Sequence, residues 1–551
     1  MADGPDSFGQ PPIPIPDRAA SSSDIAPQPT PPVSSSAATD RRAGLVRTSA
    51  GISVLAAMGV LSGFVVDAAM AALFGAGART DAFFIAATIP FAVGSVLLAS
   101  ANQALVPLIN SWFNEEREEV ALERVGRFLG WALAIAVGIA IVGILASALL
   151  PRVIAPGSSP ETKRLASQMS ILLFVTVVTR VGAEVLRALL NARFSFIAPA
   201  AMPAIESSAV LLIMLPLAHR LGVTAVAVGY VAGGVLQLTF MAVAVLRRGM
   251  RIRPRLGFRD PAVWRGFRLL VLPLTATGLN TVARAIERAL ASLLPAGSIT
   301  ILNYAWVIVN SLGGAIFFRS VVVALLPRLS EAKNDTRLSA RILGDGIRIM
   351  GMISLPLMAL VIVLAKSLTV FAFQRGAFTP QATALLASVL AIYALQLPLD
   401  ALTRVFLSHA FARLDVVTPF KNGVLGVTLD IVFAVALFRP LGVQGLALAY
   451  VLASIGNLVH AYLTVRPRVP LNLPPILRLL TKILVASTLG GFAAWAVLPL
   501  MPLTPGFVAR ALHLVVPGIV ALVAVAVSLL ALGVRPTRLM RPKTSASGGS
   551  R

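Results

Sequence analysis

Asp67, Arg180, Glu184, Arg187, Glu206, Arg284, Glu287, Arg288, Arg319, Asp400, Arg404 and Asp430 lie inside stretches that are otherwise apolar. A charge at the centre of a bilayer costs about 2.5 to 3.5 kcal/mol on insertion scales, so each must face protein or water and marks a candidate site. Arg284 and Arg288 stand four residues apart, with only Glu287 beside them to neutralise two guanidinium groups. The surplus cation suits an anion, and arginine forks match phosphate oxygens. Arg319 has no acidic residue within four positions and joins them as a candidate anion contact. The couples Arg180/Glu184 and Asp400/Arg404 are spaced i,i+4, which predicts that each closes on itself as a structural ion pair inside its own half of the chain.

The same residue types exclude bond-breaking chemistry. The chain has neither a GxxxxGK[ST] loop nor an HExxH pair, and His219, His409, His460 and His513 are far apart in sequence. With zero cysteines it has no disulfide, thiolate metal site or thiol nucleophile. The expectation is a transporter rather than an enzyme, without cofactor or metal, driven by a proton or sodium gradient, the membrane potential or a partner.

The elements that hold these charges are membrane spans. The chain is 57% hydrophobic and 13% charged, too apolar for a soluble fold. Apolar stretches of about twenty residues, the length that crosses a hydrocarbon core, recur from Ala50 to Val534. They predict an all-α polytopic protein of fourteen spans, beginning near residues 50, 82, 128, 166, 197, 223, 268, 299, 348, 381, 419, 442, 480 and 511. Lys and Arg concentrate in alternate connections, above all at Arg247, Arg248, Arg251, Arg253, Arg255, Arg259, Arg265 and Arg268. By the positive-inside rule those connections and both termini are cytoplasmic. The +24 net charge is thus read as topology rather than as affinity for nucleic acid.

A repeat at an offset of 220 residues orders the spans. Pro107 recurs as Pro327, Ala192-Arg193 as Ala412-Arg413, Pro199 as Pro419, Leu221-Gly222-Val223 as Leu441-Gly442-Val443, and Tyr230 as Tyr450. That offset covers six spans, an even number, so the two copies are parallel repeats. The predicted organisation is a Pro/Ser-rich disordered tail (1–42), an N-lobe (43–246), an Arg-rich linker (247–268), a C-lobe (269–466), a C-terminal helix pair (467–536) and a short tail (537–551). Asp67 maps onto Glu287, which predicts one acid from each lobe in a central cavity.

Several segments resemble the opening of the MurJ/MviN lipid II flippases: Gly63-Phe64-x-x-Asp67, Phe74-Gly75-Ala76-Gly77-x-x-Thr80-Asp81-Ala82-Phe83-Phe84 and Gln103-Ala104-x-Val106-Pro107. Glu287-Arg288-Ala289-Leu290-Ala291-Ser292, Leu302-Asn303-Tyr304-Ala305, Arg375-Gly376-Ala377-Phe378-Thr379 and Thr418-Pro419-x-Lys421 continue the likeness, which covers roughly residues 45 to 470. The resemblance implies a flippase of the multidrug/oligosaccharidyl-lipid/polysaccharide exporter superfamily in a bacterial inner membrane, carrying an undecaprenyl-pyrophosphate-linked sugar outward for cell-wall synthesis. It implies substrate contacts at Asp67, Asp81 and Arg288, a lipid-tail groove on the last two helices, and membrane lipids and cell-wall synthesis proteins as partners. Four positions where the family carries arginine are Val60, Val66, Gly94 and Ser95 here, a fifth is Val307, and Trp306 replaces the preceding acid. At this level a flippase for another lipid-linked glycan, a cation-coupled drug exporter and a non-transporting scaffold stay open as alternatives.

Overall fold

The computed structural model describes residues 54–55, 58–100, 104–257, 260–311, 313, 318–501 and 506–534, apart from the side chains of 95–100, 270–277 and 319. The two tails, 1–42 and 537–551, and Arg259 lie outside the described residues. All described secondary structure is helical. In chain order the first half comprises α1 (Met58–Phe74), α2 (Ala78–Ser100), α3 (Val106–Glu115), α4 (Glu118–Leu145), α5 (Leu150–Ile154), α6 (Pro160–Ala192), α7 (Ile197–Leu221) and α8 (Thr224–Leu246). The second comprises α9 (Pro261–Ala291), α10 (Ser298–Asn310), α11 (Arg319–Glu331), α12 (Thr336–Ala372), α13 (Pro380–Ala394), α14 (Gln396–Ala412) and α15 (Val417–Val465), followed by α16 (Leu473–Val497) and α17 (Phe507–Ala531). Among the described residues nine helices, with α13 and α14 taken together, are long and apolar enough to cross a membrane; α1 and α10 are shorter apolar helices. α15 breaks at Gly442 and so carries the two spans expected to begin near 419 and 442.

The offset of 220 is written into backbone geometry. Ser159 caps α6 by accepting from the Thr162 N–H at 3.2 Å, and Thr379 caps α13 by accepting from the Ala382 N–H at 3.2 Å. Gly222 and Gly442 both adopt the left-handed region, with φ of 57° and 59°. Phe194 and Leu414 do the same at 54° and 58°, although L side chains rarely accept that conformation. The reason is the same helix ending in both copies: Ser195 N–H returns to Leu190 O at 2.8 Å and Asp415 N–H to Ala410 O at 2.9 Å.

Several helices start earlier than the apolar stretches predict, because good helix formers extend them beyond the hydrocarbon. α4 begins at Glu118 instead of about 128, and its first turns carry Glu118, Glu119 and Glu123. α9 begins at Pro261, its N-terminus capped by Asp260 accepting from the Ala262 N–H at 3.0 Å. The linker therefore ends at Asp260, and Arg265 and Arg268 belong to the first turns of α9.

The linker lies along α4. The Arg255 N–H donates to Gly126 O at 3.2 Å, and Trp131 Nε1 donates to Gly257 O at 3.1 Å. Gly130 makes this approach feasible, since a Cβ there would fall 2.8 Å from Arg255 N. The C-terminal pair packs together and on α12 by similar means: a Cβ at Gly490 of α16 would fall 2.8 Å from Ala521 O of α17, and one at Gly491 3.2 Å from Val363 Cγ2 of α12.

Candidate functional site: a chamber between two lobes

The lobes close on each other at one end through a symmetric set of contacts. The Gly157 N–H donates to Ser292 Oγ at 3.0 Å, and its repeat mate, the Ala377 N–H, donates to Ala72 O at 2.8 Å. Thr300 Oγ1 meets its own repeat mate, Thr80 Oγ1, at 3.0 Å. Asp81, 5% exposed, sits on this axis and accepts from the Gly297 N–H at 2.6 Å, the Thr300 N–H at 2.9 Å and the Thr300 hydroxyl at 2.6 Å. An N-lobe carboxylate thus caps the N-terminus of a C-lobe helix. Behind it Phe64 and Phe84 meet Tyr304 and Phe373, with ring centroids 5.5 Å apart for Phe64–Phe373 and 5.7 Å for Phe84–Tyr304.

From this seal α2 runs about 35 Å towards the end where the linker lies. There the lobes part around a chamber of about 1100 Å³. Its walls come from α3 and α4 on one side and from the α14–α15 junction on the other, with Trp112, Glu115, Arg265, Phe411 and Phe420 among the lining residues. Asn280 and Gly423 line both this chamber and a narrower cavity of about 150 Å³ at its inner end, between α9, α10 and α15. The narrow cavity holds Arg284, Glu287, Arg288, Asn303, Trp306, Asp430 and Asn457.

The sequence-predicted residues reach this site unequally. Arg284 lies in the cavity with its guanidinium over the Trp306 ring, 4.0 Å from the centroid. The indole that replaces the family's acid therefore holds the cation without neutralising it. Glu287 accepts from Tyr393 Oη at 2.9 Å. Arg288 crosses to the other lobe, donating to Phe84 O at 2.8 Å and to the Thr88 hydroxyl, so in this state it joins the lobes rather than waiting for a ligand. Asp81, a substrate contact by the family resemblance, has both carboxylate oxygens bonded in the seal in this state. Asp67 does not line the cavity beside Glu287 as the repeat suggests; it is partly buried on α1, within electrostatic reach of Tyr230 and Tyr304. Arg319 opens α11, and its side chain lies outside the described residues.

The expected Arg180–Glu184 pair does not form. Arg180 reaches across to Glu206 on α7, with 2.5 Å between Nη2 and Oε1, while Glu184 takes Arg187 at 2.9 Å. Gly233 on α8 allows this, since a Cβ there would sit 3.0 Å from Glu206 O and 3.2 Å from its Cγ. Arg180 also occupies the room beside Gly94, where the resembled family has an arginine; a Cβ at Gly94 would fall 3.1 Å from Arg180 Cδ. Asp400 and Arg404 do pair, at 2.9 Å, but both side chains are 43% exposed rather than buried inside the lobe. Sequence reasoning met Asn303 and Trp306 only as parts of a family-like segment and gave neither a role in the site, and it missed Asn457, whose only signal was a polar side chain at membrane depth.

Comparison with known proteins places this architecture. A family model described as lipid II flippase MurJ matches residues 70–514. A protein of Rhizobium meliloti (strain 1021) named probable lipid II flippase MurJ is 28% identical over 81% of this chain and 86% of its own length. The lipid II flippase MurJ of Burkholderia cenocepacia is 26% identical over 74% of this chain and 81% of its own. Among solved structures, lipid II flippase MurJ in an inward closed conformation superposes with a TM-score of 0.73, at 20% identity, over 87% of this chain and 99% of that one. An inward-facing multidrug resistance MATE transporter of the MOP superfamily gives 0.63 at 16% identity, over 78% and 94%.

Proposed function

We propose that this protein, which belongs to the lipid II flippase MurJ family, moves a polyprenyl-pyrophosphate-linked glycan of the lipid II type from the cytoplasmic to the outer leaflet of a bacterial inner membrane. The observation that carries the reading is Arg284, a cation held on an indole in a cavity that shares Asn280 and Gly423 with the wider chamber beside the linker. A pyrophosphate is the part of such a lipid that seeks a guanidinium, and arginine binds it by two parallel hydrogen bonds.

The linker carries Arg247, Arg248, Arg251, Arg253 and Arg255, so its end of the molecule is the cytoplasmic one and the seal faces outward. The headgroup enters the chamber from the cytoplasm. Its departure on the other side requires the contacts through Asp81, Thr80, Gly157 and Ala377 to part, and Arg288 to leave Phe84 and Thr88, while the linker end closes. An inside-negative potential favours outward movement of the anion by about 2.3 kcal/mol per charge per 100 mV, which supports the membrane potential, alone or with a proton or sodium gradient, as the driving force. The polyprenyl chain stays in the membrane along α12, α16 and α17, whose outer surface exposes Phe492 and Trp495.

Complementation tests this. Expression in a bacterium depleted of its own lipid II flippase restores growth, and Arg284→Ala abolishes the rescue while the protein still reaches the membrane. Failure of the unaltered chain to rescue would refute the substrate; rescue undiminished by Arg284→Ala would refute the site.

A further inference from the structure

The narrow cavity is charged, yet its charges are largely spoken for. Glu287 is bonded by Tyr393, Arg288 by Phe84 and Thr88, and Arg284 is stacked on Trp306. Arg284 and Arg288 stand against Glu287 and Asp430, so the formal balance is 2 − 2 = 0. The remaining polar lining is neutral: Asn303, Asn457, Tyr450 and Ser454, with Asn280 at the mouth. Asn457 Oδ1 is buried and has no hydrogen-bond partner among the described residues. Gly426 faces it across the gap between the two halves of α15, where a Cβ would approach Asn457 Oδ1 to 2.8 Å. A buried amide oxygen left without a donor costs about 1–3 kcal/mol, so it calls for a ligand that donates.

Size narrows the class. The cavity measures about 150 Å³. At the roughly 30 Å³ that a water takes in the liquid it holds about five waters, room on the scale of one sugar ring and not of a whole glycan headgroup. A neutral, donor- and acceptor-rich pocket of that size, beside a guanidinium, has the chemistry of a sugar ring joined to a phosphate.

We propose that this cavity is a monosaccharide subsite, in which Asn457 and Asn303 hydrogen-bond the hydroxyl or acetamido groups of the sugar directly attached to the pyrophosphate, while Arg284 holds the pyrophosphate itself. The proposal rests on the reading of the protein as a flippase for polyprenyl-pyrophosphate glycans. It adds that the protein recognises the first sugar, leaving the rest of the headgroup to the 1100 Å³ chamber. The covalent order of the lipid requires the two subsites to adjoin, and Arg284 and Asn457 line one cavity.

The test measures binding of two lipids to the full chain in nanodiscs: undecaprenyl pyrophosphate, and the same lipid bearing one N-acetylhexosamine. The sugar-bearing lipid binds about tenfold more tightly, the factor that one or two satisfied hydrogen bonds supply. Asn457→Leu, with the same branching and number of side-chain heavy atoms but no amide, removes that difference. Asn303→Leu, on a different helix, reduces it independently and carries the test if Asn457→Leu does not fold. Arg284→Ala weakens both lipids equally. Equal affinity of the unaltered chain for the two lipids overturns the sugar subsite and leaves the flippase reading standing, as does discrimination that survives in both asparagine variants. Binding of neither lipid overturns the flippase reading and the subsite with it.

Discussion

Asp81→Asn isolates the seal. In the sealed state the carboxylate receives three donors, the Gly297 and Thr300 N–H groups and the Thr300 hydroxyl, at 2.6 to 2.9 Å. The amide keeps one oxygen and sets its NH2 against a second N–H. Hydrogen bonds to a charged group contribute about 1.5–3 kcal/mol each and neutral ones about 0.5–1.5, so the sealed state loses about 2–4 kcal/mol. Because these bonds join the lobes, the loss falls on the sealed state and not on one in which water reaches the same groups. The equilibrium shifts towards outward opening by about 30- to 700-fold, at tenfold per 1.4 kcal/mol. The chain has no cysteine, so a single Ser298→Cys, at a position 2% exposed beside the seal, reports opening by its reaction with a membrane-impermeant maleimide added from outside. While opening is rare, the labelling rate follows the open fraction, and Asp81→Asn raises it by that factor. An unchanged rate would show that the clasp does not hold the sealed state and would refute the reasoning.

Three further predictions follow from the same geometry. Trp306→Leu keeps the cavity apolar but removes the indole beneath Arg284, a contribution of about 0.5–2 kcal/mol; polyprenyl pyrophosphate then binds about 2- to 30-fold more weakly by titration in nanodiscs. Glu206→Gln leaves the Arg180 charge, 18% exposed, without its counterion, and lowers stability by about 3–5 kcal/mol, read as a fall in melting temperature in detergent, whereas Arg404→Ala on the open Asp400 pair changes it by about 1 kcal/mol or less. Asp415, outside the membrane, accepts from the Thr418 N–H and hydroxyl, from Arg468 and from the Val417 N–H, which hold its carboxyl down at about 2 from the usual 3.8. A depressed carboxyl stabilises the fold above its ordinary value, and this stability is lost as pH falls from about 4 towards 2. Asp415→Ala therefore lowers stability near neutrality by about 1 kcal/mol and flattens the acid limb of an unfolding titration between those values.

Local chemistry was legible in the chain. The 220-residue offset, the caps at Ser159 and Thr379 and the glycines at 222 and 442 are each decided by residues close in sequence, and they recur in the structure at matching backbone positions. The apolar stretches determined that the protein is helical and crosses a membrane, because a backbone in hydrocarbon must satisfy its own hydrogen bonds. The motifs from Gly63 to Pro107 and from Glu287 to Lys421 pointed to the family that the comparisons then showed.

What each charge touches was decided only in three dimensions. Spacing along one helix offers Glu184 to Arg180, but the neighbouring helix brings Glu206 closer, through room left by Gly233. Asp81 resembles a substrate contact until α10 of the other lobe presents two N–H groups to it, and Arg288 stands as a free cation until Phe84 and Thr88 come within reach. Asn457 carries no motif at all, Trp306 stands in the sequence only as a departure from a family-like segment, and both acquire meaning only where α9, α10 and α15 enclose one cavity. Helix periodicity is fixed by neighbours three and four residues away, whereas these partners lie 26 to 219 residues apart and are chosen by how the helices pack.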